Sequence, residues 1–213
     1  MNTIYYISHA TAHLSQLDGI AAALEGGCRW IQLRMKDTDD ATFCRTALEV
    51  RELCRQYGAR LILDDRVHLV ERVGADGVHL GLADMPVGEA RRLLGRHHII
   101  GATANTLDQA LAAVAVGADY LGCGPFRFTT TKQNLAPVLG LEGYRRIISG
   151  LRCHGADIPV VAIGGIRLDD VAAILATGGQ GIAVSSAVTG TAHPVEAMRR
   201  LMEELKRVTE PGI

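Results

Sequence analysis

Six short stretches of this chain carry groups that could hold phosphate or a hard cation. They are Gln32, Arg34 and Lys36; Asp64 and Asp65; Asp84; Thr129, Thr130, Thr131 and Lys132; Gly164 and Gly165; and Ser185 and Ser186. Gln32, Arg34 and Lys36 are spaced two apart, so a strand puts them on one face and Ile31, Leu33 and Met35 on the other. Two cations converging in an enclosed space need an anion, because unpaired buried charge is costly. The alternative is a solvated strand end where they pair with neighbouring acids. Asp64, Asp65 and Asp84 could share a Mg2+ ion with phosphate oxygens; Asp65 and Asp84 could equally cap helices. Hydroxyls beside Lys132 make a phosphate clamp by composition. Glycines 164 and 165 allow a backbone to approach a phosphate closely.

These groups need a scaffold that gathers them. Short β-branched runs at 3–8, 30–35, 60–64, 77–81, 99–103, 120–125, 159–165 and 181–186 predict eight strands, with amphipathic segments between them. One helix is expected over 40–57, facing inward through Phe43, Leu48, Val50 and Leu53. The last, over 194–207, uses Met198, Leu201, Met202 and Leu205. Junctions at Gly74, Gly117 and Gly178 supply a left-handed residue where a helix ends and a strand begins. Asp37, Thr106 and Asp169 are expected helix starts. Eight βα units in series predict an α/β fold, a single (β/α)8 TIM barrel spanning residues 1–213 as one domain. Every candidate group then lies at a strand's C-terminal end, where the sites of such barrels form. The loops after strands seven and eight are their usual phosphate site, so two phosphate sites emerge: two phosphorylated substrates or one bisphosphate.

The chain has 213 residues, 48% hydrophobic and 21% charged, enough for one sizeable core. Its formal net charge is −1, so no nucleic-acid partner is expected. No signal-like leader and no apolar run of membrane-spanning length is read, and a cytoplasmic location with no membrane partner is expected. Five scattered cysteines predict reduced, packed thiols, with Cys123 inert.

The stretches Gln32-Leu33-Arg34-Met35-Lys36, Leu63-Asp64-Asp65, Ala75 through Gly81 with Asp84, Ile100 through Thr103, Gly124-Pro125 through Thr129-Thr130-Thr131-Lys132, and Ala162 through Ile166 together resemble the thiamine phosphate synthase family. The resemblance covers nearly the whole chain. It implies a transferase that displaces diphosphate from hydroxymethylpyrimidine diphosphate with a thiazole phosphate nitrogen, the pyrimidine ionising first. It further implies that Gln32, Leu33, Arg34, Met35, Lys36, Asp64, Thr103 and Lys132 hold the pyrimidine diphosphate. Asp65 and Asp84 would bind Mg2+. Thr129, Thr130, Thr131, Gly165, Ser185 and Ser186 would hold the thiazole phosphate. Catalysis would rest on Arg34, Lys36, Lys132 and the metal stabilising the departing diphosphate.

Three positions depart from the family pattern: Asp64 stands where asparagine is usual, Leu82 and Ala83 replace a Gln-Glu pair, and Thr103 replaces a serine. The related thiazole tautomerases carry a histidine where this chain has Asn105, and lack the Thr-x-Thr-Lys element. A sugar-phosphate isomerase or epimerase would want a catalytic Glu or His pair at the strand ends, which the chain does not display. A non-catalytic phosphate-binding protein would bind without turnover. His79 is expected as a satisfied interior residue, and Trp30 is expected to pack against a helix. The 133–137 segment is a candidate closing lid.

Overall fold

The computed structural model describes residues 3–128 and 137–210. Eight parallel strands close in sequence order into one barrel. They are β1 (Thr3–Ile7), β2 (Trp30–Leu33), β3 (Arg60–Asp64), β4 (Gly77–Leu80), β5 (Ile99–Ala104), β6 (Tyr120–Cys123), β7 (Val160–Ile163) and β8 (Gly181–Val184). Closure is made by β8 against β1, with Ile4 level with Ile182 and Tyr6 with Val184. The surrounding helices are α1 (Gln16–Glu25), α2 (Asp40–Gln56), α3 (Val70–Val73), α4 (Val87–Leu94), α5 (Leu107–Ala115), α6 (Gly140–Cys153), α7 (Val171–Leu175), α8 (Ser186–Thr189) and α9 (Pro194–Thr209). None of them is long and apolar enough to cross a membrane.

Strand alternation divides the core in two. Ile31, Leu33, Leu61, Leu63, Val78 and Ile100 face the helices and are fully buried there. Tyr5, Trp30, Tyr120 and Val161 fill the inside toward the N-terminal end, the first three with ring centroids 4.5 to 5.8 Å apart, and Ala183 packs on them from the cavity side. Trp30 therefore packs inside the barrel and not against a helix, as its shared parity with Gln32 requires.

Three helix-to-strand junctions use one device. Asp76 Oδ2 accepts the Leu61 N–H at 2.8 Å, Asp119 Oδ2 accepts the Ile100 N–H at 2.7 Å, and Gln180 Oε1 accepts the Val160 N–H at 3.0 Å. Each satisfies a backbone donor at the start of the neighbouring strand. Arg51 of α2 and Arg91 of α4, the helices that lead into β3 and β5, pair with Asp76 and Asp119. Gly74, Gly117 and Gly178 all take positive φ, as the junction sequences predict.

Helix α5 starts at Thr106, whose side chain accepts the Gln109 N–H. Two other expected starts shift. The cap of α2 is Asp39, accepting from Thr42, while Asp37 sits in the preceding loop at φ 58°. Asp170, not Asp169, takes the Arg167 N–H ahead of α7. On α2 the buried face is Phe43, Cys44, Ala47, Val50 and Cys54; Leu48, expected inside, is 49% exposed.

Candidate active site

A cavity of about 570 Å³ opens at the C-terminal end of the barrel, within the range of small-ligand pockets. Among the described residues its wall includes Gln32, Arg34, Lys36, Asp64, Asp84, Thr103, Gly165, Ser185 and Ser186, all expected from the sequence. Leu33 and Met35 point into the layer beneath the helices, and their side chains are not part of the cavity wall. Thr129, Thr130, Thr131 and Lys132 lie outside the described residues, as does most of the expected lid.

The cations that follow β2 do meet carboxylates. Lys36 Nζ lies 2.9 Å from Asp64 Oδ2 and 2.5 Å from Asp65 Oδ2, and Arg34 Nε lies 3.8 Å from Asp64 Oδ2. Unpaired charge therefore cannot be the argument for a bound anion here; the pairing alternative describes the geometry. Desolvation pulls the Lys36 pKa down, but hydrogen bonds and charge from Asp65 and Asp64 outweigh it and hold the ammonium above the ordinary lysine value. Gln32 Nε2 donates to Asp64 Oδ1 at 2.9 Å, fixing the carboxylate from the other side. Ser8, absent from the sequence-based set, is fully buried and accepts the Arg34 N–H at 3.0 Å. A polar residue just past the first strand was its signal.

Asp65 is held in left-handed backbone at φ 61°, a conformation aspartate tolerates but few residues favour. Its N–H bonds the His79 carbonyl, which sets it beside the end of β4. Arg66 then reaches the Thr38 carbonyl and Asp40, tying the loop after β3 to the loop after β2. Asp84 Oδ2 accepts the Gly81 N–H at 2.6 Å, so it closes its own turn; it caps no helix, since α4 begins at Val87 after Pro86. No cluster of three or more His, Cys, Asp or Glu among the described residues could cage a metal by protein ligands alone. Two carboxylates at a mouth lined by cations suit Mg2+, which takes one or two carboxylates and completes its shell with phosphate oxygens and water.

Beneath the mouth, His79 Nδ1 lies 3.0 Å from the Tyr120 hydroxyl and Nε2 lies 3.1 Å from Thr103 Oγ1. The expected satisfied interior histidine is what the fold contains. Asn105 Nδ2 donates to the Gly124 carbonyl and braces the loops after β5 and β6.

On the far wall Gly164 and Gly165 take φ 100° and 67°. A Cβ at Gly165 would stand 2.6 Å from Arg127 Cγ, so both dihedral and space require glycine. Arg127 donates to the Gly165 carbonyl at 3.1 Å and forms a two-pronged pair with Asp170 at 2.7 and 2.8 Å. That brace was not legible in the sequence, since its members are 43 residues apart. Ser185 Oγ is buried without a hydrogen-bond partner among the described residues, and the first turn of α8 follows it.

Residues 4–188 match the thiamine monophosphate synthase family. The thiamine-phosphate synthase of Phocaeicola vulgatus is 52% identical over 199 residues, covering 93% of this chain and 96% of its own. That of Bacteroides fragilis is also 52% identical, over 202 residues, covering 95% and 99%. Among solved structures, a thiamine phosphate pyrophosphorylase from Pyrococcus furiosus superposes with a TM-score of 0.86 at 39% identity, covering 97% of this chain and 96% of that one. A barrel with this mouth and relatives this similar along their full length leave one assignment: the chain belongs to the thiamine monophosphate synthase family, transferases of thiamine biosynthesis.

Proposed function

We propose that the chain joins hydroxymethylpyrimidine diphosphate to a thiazole phosphate, releasing diphosphate, as one barrel domain acting in the cytoplasm. The observation that carries this reading is that Arg34 and Lys36 meet Asp64 and Asp65 at one side of a cavity whose wall also carries Asp84 and, from β7 and β8, the Gly164-Gly165 turn and Ser185. One side suits a diphosphate with its metal; the other suits a single phosphate.

The reaction breaks the bond between the pyrimidine methylene and the diphosphate oxygen, and the electron pair leaves with diphosphate. The thiazole nitrogen then gives its lone pair to the methylene carbon. Nitrogen has no proton to lose, so the step needs no general base. Arg34 and Lys36 bind the leaving group and stabilise the charge that grows on it, with Lys132 in the same role by family resemblance. Asp65 and Asp84 would hold Mg2+, which when bound neutralises diphosphate charge. Gln32, fixed by Asp64, offers its amide to the pyrimidine. Thr103 faces the diphosphate, while Gly165, Ser185 and Ser186, with Thr129, Thr130 and Thr131, receive the thiazole phosphate.

The test is product formation from the two substrates, with and without Mg2+. Equal amounts of thiamine phosphate and diphosphate, formed only with the metal, support the reading. A folded protein that forms neither overturns it and leaves phosphate binding without this transfer.

A further inference from the structure

Tyr120, His79 and Thr103 form a hydrogen-bonded column from the barrel interior to the cavity floor, through His79 Nδ1 at 3.0 Å and Nε2 at 3.1 Å. The three side chains come from β6, β4 and β5, all pointing inward. Two inward glycines make the room. A Cβ at Gly122 would stand 2.8 Å from His79 Cε1, and one at Gly101 would stand 2.1 Å from the Tyr120 ring. The chain leaves two interior positions without side chains to seat this pair, although space filling alone is met more simply by aliphatic layers.

The geometry points to Tyr120 and His79 as positioning residues that hold the Thr103 hydroxyl as a donor toward the departing diphosphate. This rests on the reading that Thr103 faces that group. A threonine hydroxyl has one proton and two lone pairs. To give the proton to an anion, its oxygen must accept from His79, which places a proton on Nε2. In the neutral ring Nδ1 is then the acceptor, and the Tyr120 hydroxyl donates to it. Tyr120 has that proton to give: burial, reinforced by Tyr5, Asp64 and Asp119, keeps the phenol protonated far above its ordinary range. With the opposite polarity Thr103 spends its proton on the ring and turns lone pairs toward phosphate oxygens. That arrangement repels the anion. The column thus aligns three O–H and N–H donors in one direction, each strengthening the next.

The experiment combines variants with a tautomer measurement on the intact protein. His79→Leu and Thr103→Val should each lower kcat on the order of tenfold, the worth of one hydrogen bond to a charged group, and weaken binding of inorganic diphosphate with Mg2+. The double variant should be no worse than Thr103→Val alone, because both remove one interaction. His79→Gln, whose amide N–H can stand in for Nε2–H, should recover much of the loss. Tyr120→Phe should fall between. Loosened packing would lower Tm without this pattern of rescue and non-additivity. Because a variant could fail to fold, the second arm uses the wild-type chain: 15N NMR of His79 saturated with Mg2+ and diphosphate should show Nε2 protonated and Nδ1 bare. The opposite tautomer, or full additivity in the double variant, overturns the proposal. A wild type that binds diphosphate with the expected tautomer yet makes no thiamine phosphate would remove the synthase reading and leave the column standing.

Discussion

Lys36 and Asp64 leave neighbouring strands and meet above the barrel, Nζ 2.9 Å from Oδ2, with Asp65 taking the same ammonium at 2.5 Å. The cation proposed to meet a diphosphate is thus neutralised by the chain's own carboxylates, and an incoming anion competes with them. The pairing keeps Lys36 extended into the mouth, so part of its side-chain ordering cost is met before any ligand arrives.

Asp64→Asn tests that competition. The amide oxygen still accepts from Gln32 Nε2, while one negative charge disappears beside Arg34 and Lys36. Lys36 is 42% exposed, so screening limits the gain. The expected change is a pyrimidine diphosphate KM lower by about fivefold, roughly 1 kcal/mol. Steady-state kinetics and calorimetric binding of inorganic diphosphate measure it. A higher KM would mean that Asp64 serves the metal or orients Gln32 more than it opposes the ligand.

Asp84 separates a structural job from a metal job. Asp84→Asn keeps an oxygen for the Gly81 N–H, whereas Asp84→Ala loses it. If Asp84 is a Mg2+ ligand, both variants should raise the Mg2+ concentration for half-maximal rate, on the order of tenfold or more. Only the alanine variant should also lower Tm. An asparagine variant with an unchanged Mg2+ response would reduce Asp84 to a turn former.

The Lys36 charge gives a pH prediction. Its folded pKa is raised, because Asp65 and Asp64 outweigh desolvation. The pairing therefore adds stability fully below the ordinary lysine pKa, and that contribution is lost only as pH rises through the higher folded value. The rate constant kcat/KM should show no alkaline limb from Lys36 until beyond the ordinary lysine range. Asp65→Asn should move that limb down. A pH–rate profile with the limb already in the weakly alkaline range, in the unmodified chain, would contradict the pairing.

Much of this site was legible because strand parity is strict. Gln32 faces the cavity and Leu33 the helices by that alternation, and Arg34 and Lys36 reach the same wall although β2 ends at Leu33, earlier than the sequence predicts. Trp30 obeys the same parity, but its layer is completed by Tyr5 and Tyr120 from distant strands, and only barrel closure shows it. On α2 the hydrophobic spacing pointed to Leu48, yet the inward face is built from Cys44 and Ala47, whose small side chains carry little periodic signal. Asp39 and Asp170 displaced Asp37 and Asp169 as caps because a cap depends on the loop's path as much as on the residue type. The pairing of Lys36 with acids on the neighbouring strand was open to the sequence as an alternative and is what forms, whereas the Arg127–Asp170 brace joins residues whose proximity only the fold establishes.

Thiol reactivity should follow burial. Cys28, Cys44, Cys54 and Cys123 are buried and Cys153 is exposed. Burial pushes Cys28 up to about 11, and Cys54 and Cys123 up to about 12, so little thiolate exists at neutral pH. The native protein should consume one equivalent of an aromatic disulfide reagent at mildly alkaline pH, and five after denaturation. Loss of activity on that first modification would contradict Cys153's place at the end of α6, remote from the cavity wall.

The junction residues predict a stability effect separated from activity. Asp119 lies before β6, at the opposite end of the barrel from the cavity, and its Oδ2 holds the Ile100 N–H at 2.7 Å and Arg91 at 2.5 Å. Asp119→Ala leaves a backbone donor without its acceptor and Arg91 without its acid, a loss of about 1–3 kcal/mol. In a chain of this length that lowers Tm by roughly 2–10 °C. Asp119→Asn retains the acceptor and should lose less. Because stability in these barrels belongs to the N-terminal face and chemistry to the other, kcat and KM at low temperature should stay at wild-type values in both variants. Thermal unfolding beside room-temperature kinetics checks the pair. A marked fall in kcat with Tm unchanged would mean that the junction shapes the cavity through the strand, since Ile100 lies in the strand that carries Thr103.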